Sequence, residues 1–169
     1  RAVARYAGTM RELIHALKYG DQHHMVRLFG RWLAIAASEL TADAHVIVPV
    51  PLARSRLWSR RFNQSALIAA ALGREIGIAH DPLALFKKRA TPSQVGLTLE
   101  ARRRNVEGAF AVDPARRAAI KGRNVILVDD VVTTGATVEA CAIALRRAGA
   151  ARVDVASLAR VTGDIPADA

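Results

Sequence analysis

The sequence predicts an α/β fold with a mostly parallel central sheet flanked by helices, and three observations carry that prediction. Two short β-rich runs, His45 to Pro51 and Val125 to Val128, read as buried strands, the second preceded by polar Asn124. Apolar residues then recur at helical spacing in two places, Leu67, Ile68, Ala71 and Leu72, and later Val138, Cys141, Ala142, Leu145 and Ala148. Gly149 is placed to stop the second of these helices, and Arg152 to Leu158 reads as the next strand, which completes a βαβ unit.

The amino-terminal elements come first. Thr9-Met10-Arg11-Glu12 fits a capping box, and Met10, Leu13, Ile14 and Leu17 follow at helical intervals, so a first helix should run to about Tyr19. Gly20-Asp21-Gln22 breaks it, and a second helix resumes through Leu28, Phe29, Trp32, Leu33 and Ala36. His23 and His24 would point about 100° apart on a helix, so they do not share a metal.

Prolines 49 and 51 close the first core strand in a constrained turn. Arg54, Arg56, Arg60 and Arg61 follow, and then a helix from about Asn63 to Ile76. Leu85 to Arg89 and Gly108 to Val112 read as short paired strands. The excursion between them, Ala90 to Glu107, is polar and basic, with Gln94, Gly96 and the Arg102-Arg103-Arg104 cluster, and Thr98 to Val106 is a candidate helix within it.

The chemistry is concentrated where the strand Val125 to Val128 stops at two carboxylates, Asp129 and Asp130. In an open parallel sheet the carboxyl edge is where ligands bind. Carboxylates there accept hydrogen bonds from ligand hydroxyls or attract a hydrated Mg²⁺. Thr133, Thr134, Gly135 and Thr137 add hydroxyls, a residue without Cβ, and backbone N–H groups entering a helix, the ingredients of a phosphate cradle. Two other phosphate loops are excluded, because the chain contains neither G-x-x-x-x-G-K-[ST] nor G-x-G-x-x-G.

VILVDDVVTTGAT resembles the phosphoribosyl-pyrophosphate (PRPP) motif of type I phosphoribosyltransferases. The resemblance implies a PRPP-binding set of Asp129, Asp130, Val131, Thr133, Thr134, Gly135, Ala136 and Thr137, with the acidic pair on the ribose hydroxyls and the loop on the 5-phosphate. It implies a pyrophosphate turn at Val50, Pro51, Leu52, Ala53 and Arg54, and a flexible hood loop at Ala90 to Glu107 that closes over PRPP.

Leu17-Lys18-Tyr19, Pro49-Val50-Pro51-Leu52, Phe62-Asn63-Gln64, Thr91 with Gln94, Arg102 with Asn105-Val106, and Ala109-Phe110 narrow the likeness to the ComF family, the competence-protein relatives of these enzymes. Two departures stand out. The amino-terminal Cys-rich zinc module common in that family is not in this sequence, so no zinc is expected, and a start at Arg1 instead of Met implies lost upstream residues. Arg61 also replaces the glycine of the family's Arg-Gly-Phe-Asn-Gln run, which weakens any role needing close backbone approach there.

The whole chain sets the outer bounds. Its 169 residues, 51% hydrophobic and without internal repeats, suit a single domain, with a helical amino-terminal part at 1–44 and a PRPP-binding core at 45–161. No apolar stretch approaches the roughly 18 residues of a membrane span, and Arg1 to Leu17 is too charged for a signal peptide, so a cytoplasmic protein with no membrane partner is expected. The single Cys141 forms no internal disulfide and sits on an apolar helix face, a packing position. A net charge of +10 favours an anionic partner, while 5% aromatic residues argue against a base-stacking platform.

The function implied is a Mg-dependent, pentosyl-transferring glycosyltransferase acting from PRPP on an unidentified acceptor, working as a homodimer. Catalysis is assigned to Asp129, Asp130 and Arg102, the arginine shielding the reacting centre from the closing loop. No residue ligates metal directly: Mg²⁺ is held by PRPP and water near the acidic pair. The alternative is a non-catalytic DNA-uptake accessory protein that binds single-stranded DNA on basic stretches 54–61 and 87–104.

Overall fold

A computed structural model of the chain describes residues 1–19, 25–52, 57, 62–92 and 98–163. Its elements run β1 (Ala2–Arg5), α1 (Gly8–Tyr19), α2 (Val26–Ala36), α3 (Ser38–Thr41), β2 (Val46–Pro49), α4 (Gln64–Ile76), β3 (Leu85–Lys87), α5 (Leu99–Val106) and β4 (Phe110–Val112). A 3-10 turn at Pro114–Arg116 then leads into α6 (Arg117–Ile120), followed by β5 (Asn124–Val132), α7 (Ala136–Arg147) and β6 (Arg152–Arg160). Four strands form a wholly parallel sheet in the order β1-β6-β5-β2, while β3 and β4 pair antiparallel as a separate two-stranded sheet.

The sheet is the middle of three layers, and strand alternation decides which helices cover it. Ile47, Ile126 and Val128 face one way, into a core shared with Ile14 and Leu17 of α1, Phe29 and Leu33 of α2, and Ile68 and Leu72 of α4. Val46, Val48, Val125 and Leu127 face the other, against Val138, Cys141 and Leu145 of α7, with Leu85, Val106 and Phe110 beyond them. Each such fully buried aliphatic contributes on the order of 1.5–3 kcal/mol. α2 lies close on α4 because Gly30 has no side chain; a Cβ there would sit 2.8 Å from that of Ala71.

Three expectations need correction. β5 does not end at Val128 but runs to Val132, because β6 continues alongside it to Arg160; Asp129 pairs in register with Ser157 and Val131 with Ala159. The acidic pair is therefore inside the last stretch of the strand. Thr9 does not cap α1, since the helix already starts at Gly8 and Ala7 O accepts from Arg11 N. Residues 1–44 are not purely helical, because β1 forms the sheet's edge. Its single branched residue, Val3, gives little β signal, and its partner β6 lies at the far end of the sequence.

Other elements match closely. Asn63 caps α4 through Ser65 N, and Thr98 caps α5 through Ala101 N. The carboxyl end of α7 is followed by Gly149 at φ +101°. His23 and His24 lie outside the described residues, as do Gln94, Gly96, Arg54, Arg56, Arg60 and Arg61.

Candidate active site at the carboxyl end of β5

Asp129 and Asp130 are bonded from several directions. Oδ1 of Asp129 accepts from Ser65 Oγ at 3.0 Å and from Asp130 N at 3.0 Å. Oδ1 of Asp130 accepts from Val131 N at 2.7 Å, while its Oδ2 faces Lys18 Nζ at 3.2 Å. The two strands and two helices that meet here are tied together at the same edge. Asn63 Nδ2 donates to Val50 O at 3.0 Å, which fixes the start of α4, and with it Ser65, to the turn after β2.

These contacts act against a strong opposing effect. Burial pushes the Asp129 carboxyl from its ordinary 3.8 up to about 7, and the adjacent Asp130 charge adds to the rise, while the Ser65 hydrogen bond, the Asp130 N–H and Lys18 pull the other way. Beneath it, Cys141 is fully buried, and burial followed by the Asp129 charge holds its thiol well above its usual range. That accords with the packing role expected for this cysteine.

Past Val132 the chain turns into α7. Gly135 adopts φ +85°, a left-handed conformation that side chains other than glycine rarely take, and Thr134 Oγ1 accepts from Ala136 N at 3.4 Å. Thr133 Oγ1 accepts from Arg102 Nη1 at 3.2 Å. Arg102 comes from α5 and is only 5% exposed, so the arginine expected in a closing loop is a buried guanidinium set against the hydroxyl turn. Described residues near its two ends are tied to each other: Arg89 Nη2 donates to the Asn105 and Glu107 carbonyls and Asn105 Nδ2 to Pro92 O. Arg103 pairs with Glu139 of α7 at 3.3 Å, an exposed contact of little energetic weight.

Asp129, Asp130, Val131, Thr133, Thr134, Gly135, Ala136 and Thr137 thus form one continuous edge with Arg102 beside it. The expected pyrophosphate turn is only partly comparable. Val50 N donates to Val128 O, so its N–H is committed to the sheet, and Pro51 has none to offer. Leu52 follows in the described chain, and Ala53 and Arg54 lie outside it. Two contributors went unassigned in the sequence, Lys18 and Ser65. Both stood inside or beside runs that supported the family likeness, but neither spacing nor residue type tied them to the acidic pair.

The donor set suits Mg²⁺ in one particular way. Among the described residues there is no cluster of three or more His, Cys, Asp or Glu arranged for a metal. Two carboxylates already engaged by N–H, O–H and ammonium groups fit an ion carried mainly by ligand oxygens and water, which is how Mg²⁺ is commonly bound beside phosphates.

The phosphoribosyl transferase domain model matches residues 64–168. The DNA utilization protein YhgH of Escherichia coli O157:H7 is 37% identical over 94% of this chain and 70% of its own length. Competence protein F of Haemophilus influenzae is 31% identical over 94% of this chain and 71% of its own. The chain belongs to the phosphoribosyl transferase domain family, in its ComF branch. Among solved structures, the glutamine PRPP amidotransferase of B. subtilis superimposes with a TM-score of 0.56 at 23% identity, covering 84% of this chain. The ComF-type chain spans 30% of that amidotransferase, so the likeness concerns the type I phosphoribosyltransferase fold alone. No helix among the described residues is long and apolar enough to cross a membrane.

Proposed function

We propose that this chain is a phosphoribosyltransferase that binds PRPP with Mg²⁺ and transfers its phosphoribosyl group to an acceptor nucleophile, as a cytoplasmic homodimer. The observation that carries the reading is the junction of Asp129 and Asp130 with the left-handed Gly135 turn at the start of α7, closed on one side by buried Arg102. The carboxylates accept from the ribose hydroxyls. Thr133 to Thr137 direct hydroxyls and helix-start N–H groups at the 5-phosphate, and Arg102 adds a fixed positive charge behind that turn.

In the transfer, the C1–oxygen bond to pyrophosphate breaks with its electron pair leaving on pyrophosphate, and the acceptor's lone pair forms the new bond to C1. Positive charge on the ribose ring develops near the acidic pair, which stabilises it. Bound Mg²⁺ would neutralise charge on the departing pyrophosphate. With the Val50 N–H committed to the sheet, the turn's contribution to the leaving group falls to Leu52, Ala53 and Arg54.

Titration calorimetry tests this directly. Wild type should bind PRPP only with Mg²⁺, and Asp129→Asn with Asp130→Asn should abolish binding while circular dichroism shows an intact fold. Wild-type affinity in the double variant would refute the assignment.

A second reading is supported by the names of the relatives, a DNA utilization protein and a competence protein. In it the fold is a scaffold for single-stranded DNA, with exposed Lys88, Arg89, Arg103 and Arg104 of the stretch 87–104 contributing to a basic face. DNA binding across a salt series separates the two: backbone binding should fall steeply with salt, and its absence at low salt would leave the small-molecule reading standing.

A further inference from the structure

Lys18 occupies a position that an amphipathic helix normally gives to an aliphatic residue. It lies one helical turn beyond Ile14 and next to Leu17, both fully buried, and its own side chain is only 14% exposed. Taking an ammonium out of water at such a position is costly unless it is paired. Its partner is Asp130, which follows Ile126 and Val128 in the alternation of β5 toward the side that α1 covers. Lys18 also lies outside the segment 64–168 matched by the family model, so this cation reaches the site from the amino-terminal part of the chain.

We propose that Lys18 is a specificity residue of this site: as the resident counter-ion of Asp130, it keeps the acidic pair an acceptor for ligand hydroxyls and prevents it from capturing a free divalent cation. The inference deepens the PRPP reading and rests on it for the identity of the ligand. Two adjacent carboxylates on a partly buried edge are an attractive place for a hydrated divalent ion. A fixed ammonium 3.2 Å from Asp130 Oδ2 takes up part of that negative charge and repels a second cation. A ribose hydroxyl is neutral and suffers no such repulsion. Metal therefore enters with its charge already offset by the polyphosphate, and the apo site does not fill with metal alone.

Mn²⁺ binding to the ligand-free protein, followed by electron paramagnetic resonance, reads this role without PRPP or turnover. Lys18→Met should tighten Mn²⁺ binding by on the order of tenfold, given one unit charge removed at close range and screened by solvent. Lys18→Arg should bind Mn²⁺ as wild type does, and Lys18→Met combined with Asp130→Asn should return the affinity to the weak wild-type level. A merely structural lysine predicts the opposite sign, because loss of its anchoring would loosen the site and weaken cation binding. Unchanged or weaker Mn²⁺ binding in folded Lys18→Met overturns the proposal; should that variant fail to fold, Lys18→Gln, which keeps a donor but not the charge, is judged by the same criterion. The two failures are distinguishable: wild type that does not bind Mg²⁺-PRPP removes the functional reading, whereas a variant with wild-type Mn²⁺ affinity removes only the role of Lys18.

Discussion

The acidic end of β5 and the hydroxyl turn after it are neighbours in sequence, yet the rest of the molecule holds them differently. Each carboxylate is bonded by its own backbone neighbour and by a side chain from an earlier helix, Ser65 of α4 for Asp129 and Lys18 of α1 for Asp130. The turn is reached from the opposite side, by Arg102 of α5, and its shape depends on the left-handed Gly135. The acidic half is thus built into the sheet and its helical cover, with desolvation and charge repulsion only partly offset by local donors. The hydroxyl half depends on an element carried by the excursion between β3 and β4. A perturbation of one half should leave the other standing.

Arg102→Ala is the largest such perturbation. It removes a buried guanidinium and its bond to Thr133, so the turn loses both a positional constraint and the positive charge behind it. Charge-assisted hydrogen bonds of this kind are worth about 1.5–3 kcal/mol, so if the turn holds the 5-phosphate, PRPP affinity should fall roughly ten- to a hundredfold. Mn²⁺ binding at the acidic pair should change little. Calorimetry with PRPP and ribose 5-phosphate checks the first expectation; equal losses of metal and phosphate binding would show that the halves are not independent.

The same contrast explains what the sequence made legible. Val125 to Val128, the acidic pair and the threonine-glycine turn form one local string, and the start of the strand, the turn and α7 lie close to where the residue pattern puts them. The full length of the strand is not legible there, because the pairing that extends β5 to Val132 depends on β6, which periodicity in β5 alone does not report. Lys18 and Ser65 were invisible for a related reason. Their roles come from packing α1 and α4 against one face of the sheet, a contact between segments far apart in the chain. β1 is not legible in the sequence because four residues with one branched side chain carry almost no pattern, and its hydrogen-bond partner lies at the other end of the chain. Arg102 belongs to a run of three arginines in a polar excursion, a pattern that suits an exposed closing loop. Only the fold shows it buried.

The smaller perturbation concerns the acidic half and has a sign that follows from linkage. Asp129 titrates near 7 in the folded protein against an ordinary 3.8, chiefly through burial and then through the charge of Asp130. Below the unfolded value both states carry the proton and this group costs the fold nothing. As pH rises from about 4 to 7, the unfolded chain releases its proton before the folded one does, so stability falls across that window and the loss is complete above the folded value. Asp129→Asn keeps an oxygen able to accept from Ser65 Oγ and Asp130 N but cannot ionise. It should therefore be more stable than wild type at pH 8, by on the order of 2 kcal/mol once screening at the open edge is allowed for. The advantage should shrink toward zero by about pH 4. Urea unfolding at a series of pH values measures the difference. A constant gap between the two proteins would mean that Asp129 is ionised throughout and that Ser65, the Asp130 N–H and Lys18 together outweigh its burial. If the advantage appears, PRPP binding by wild type should strengthen from pH 6 to 8, because Oδ1 is already taken by Ser65 Oγ and Asp130 N and only ionisation leaves the second oxygen free of a proton to accept from the ribose.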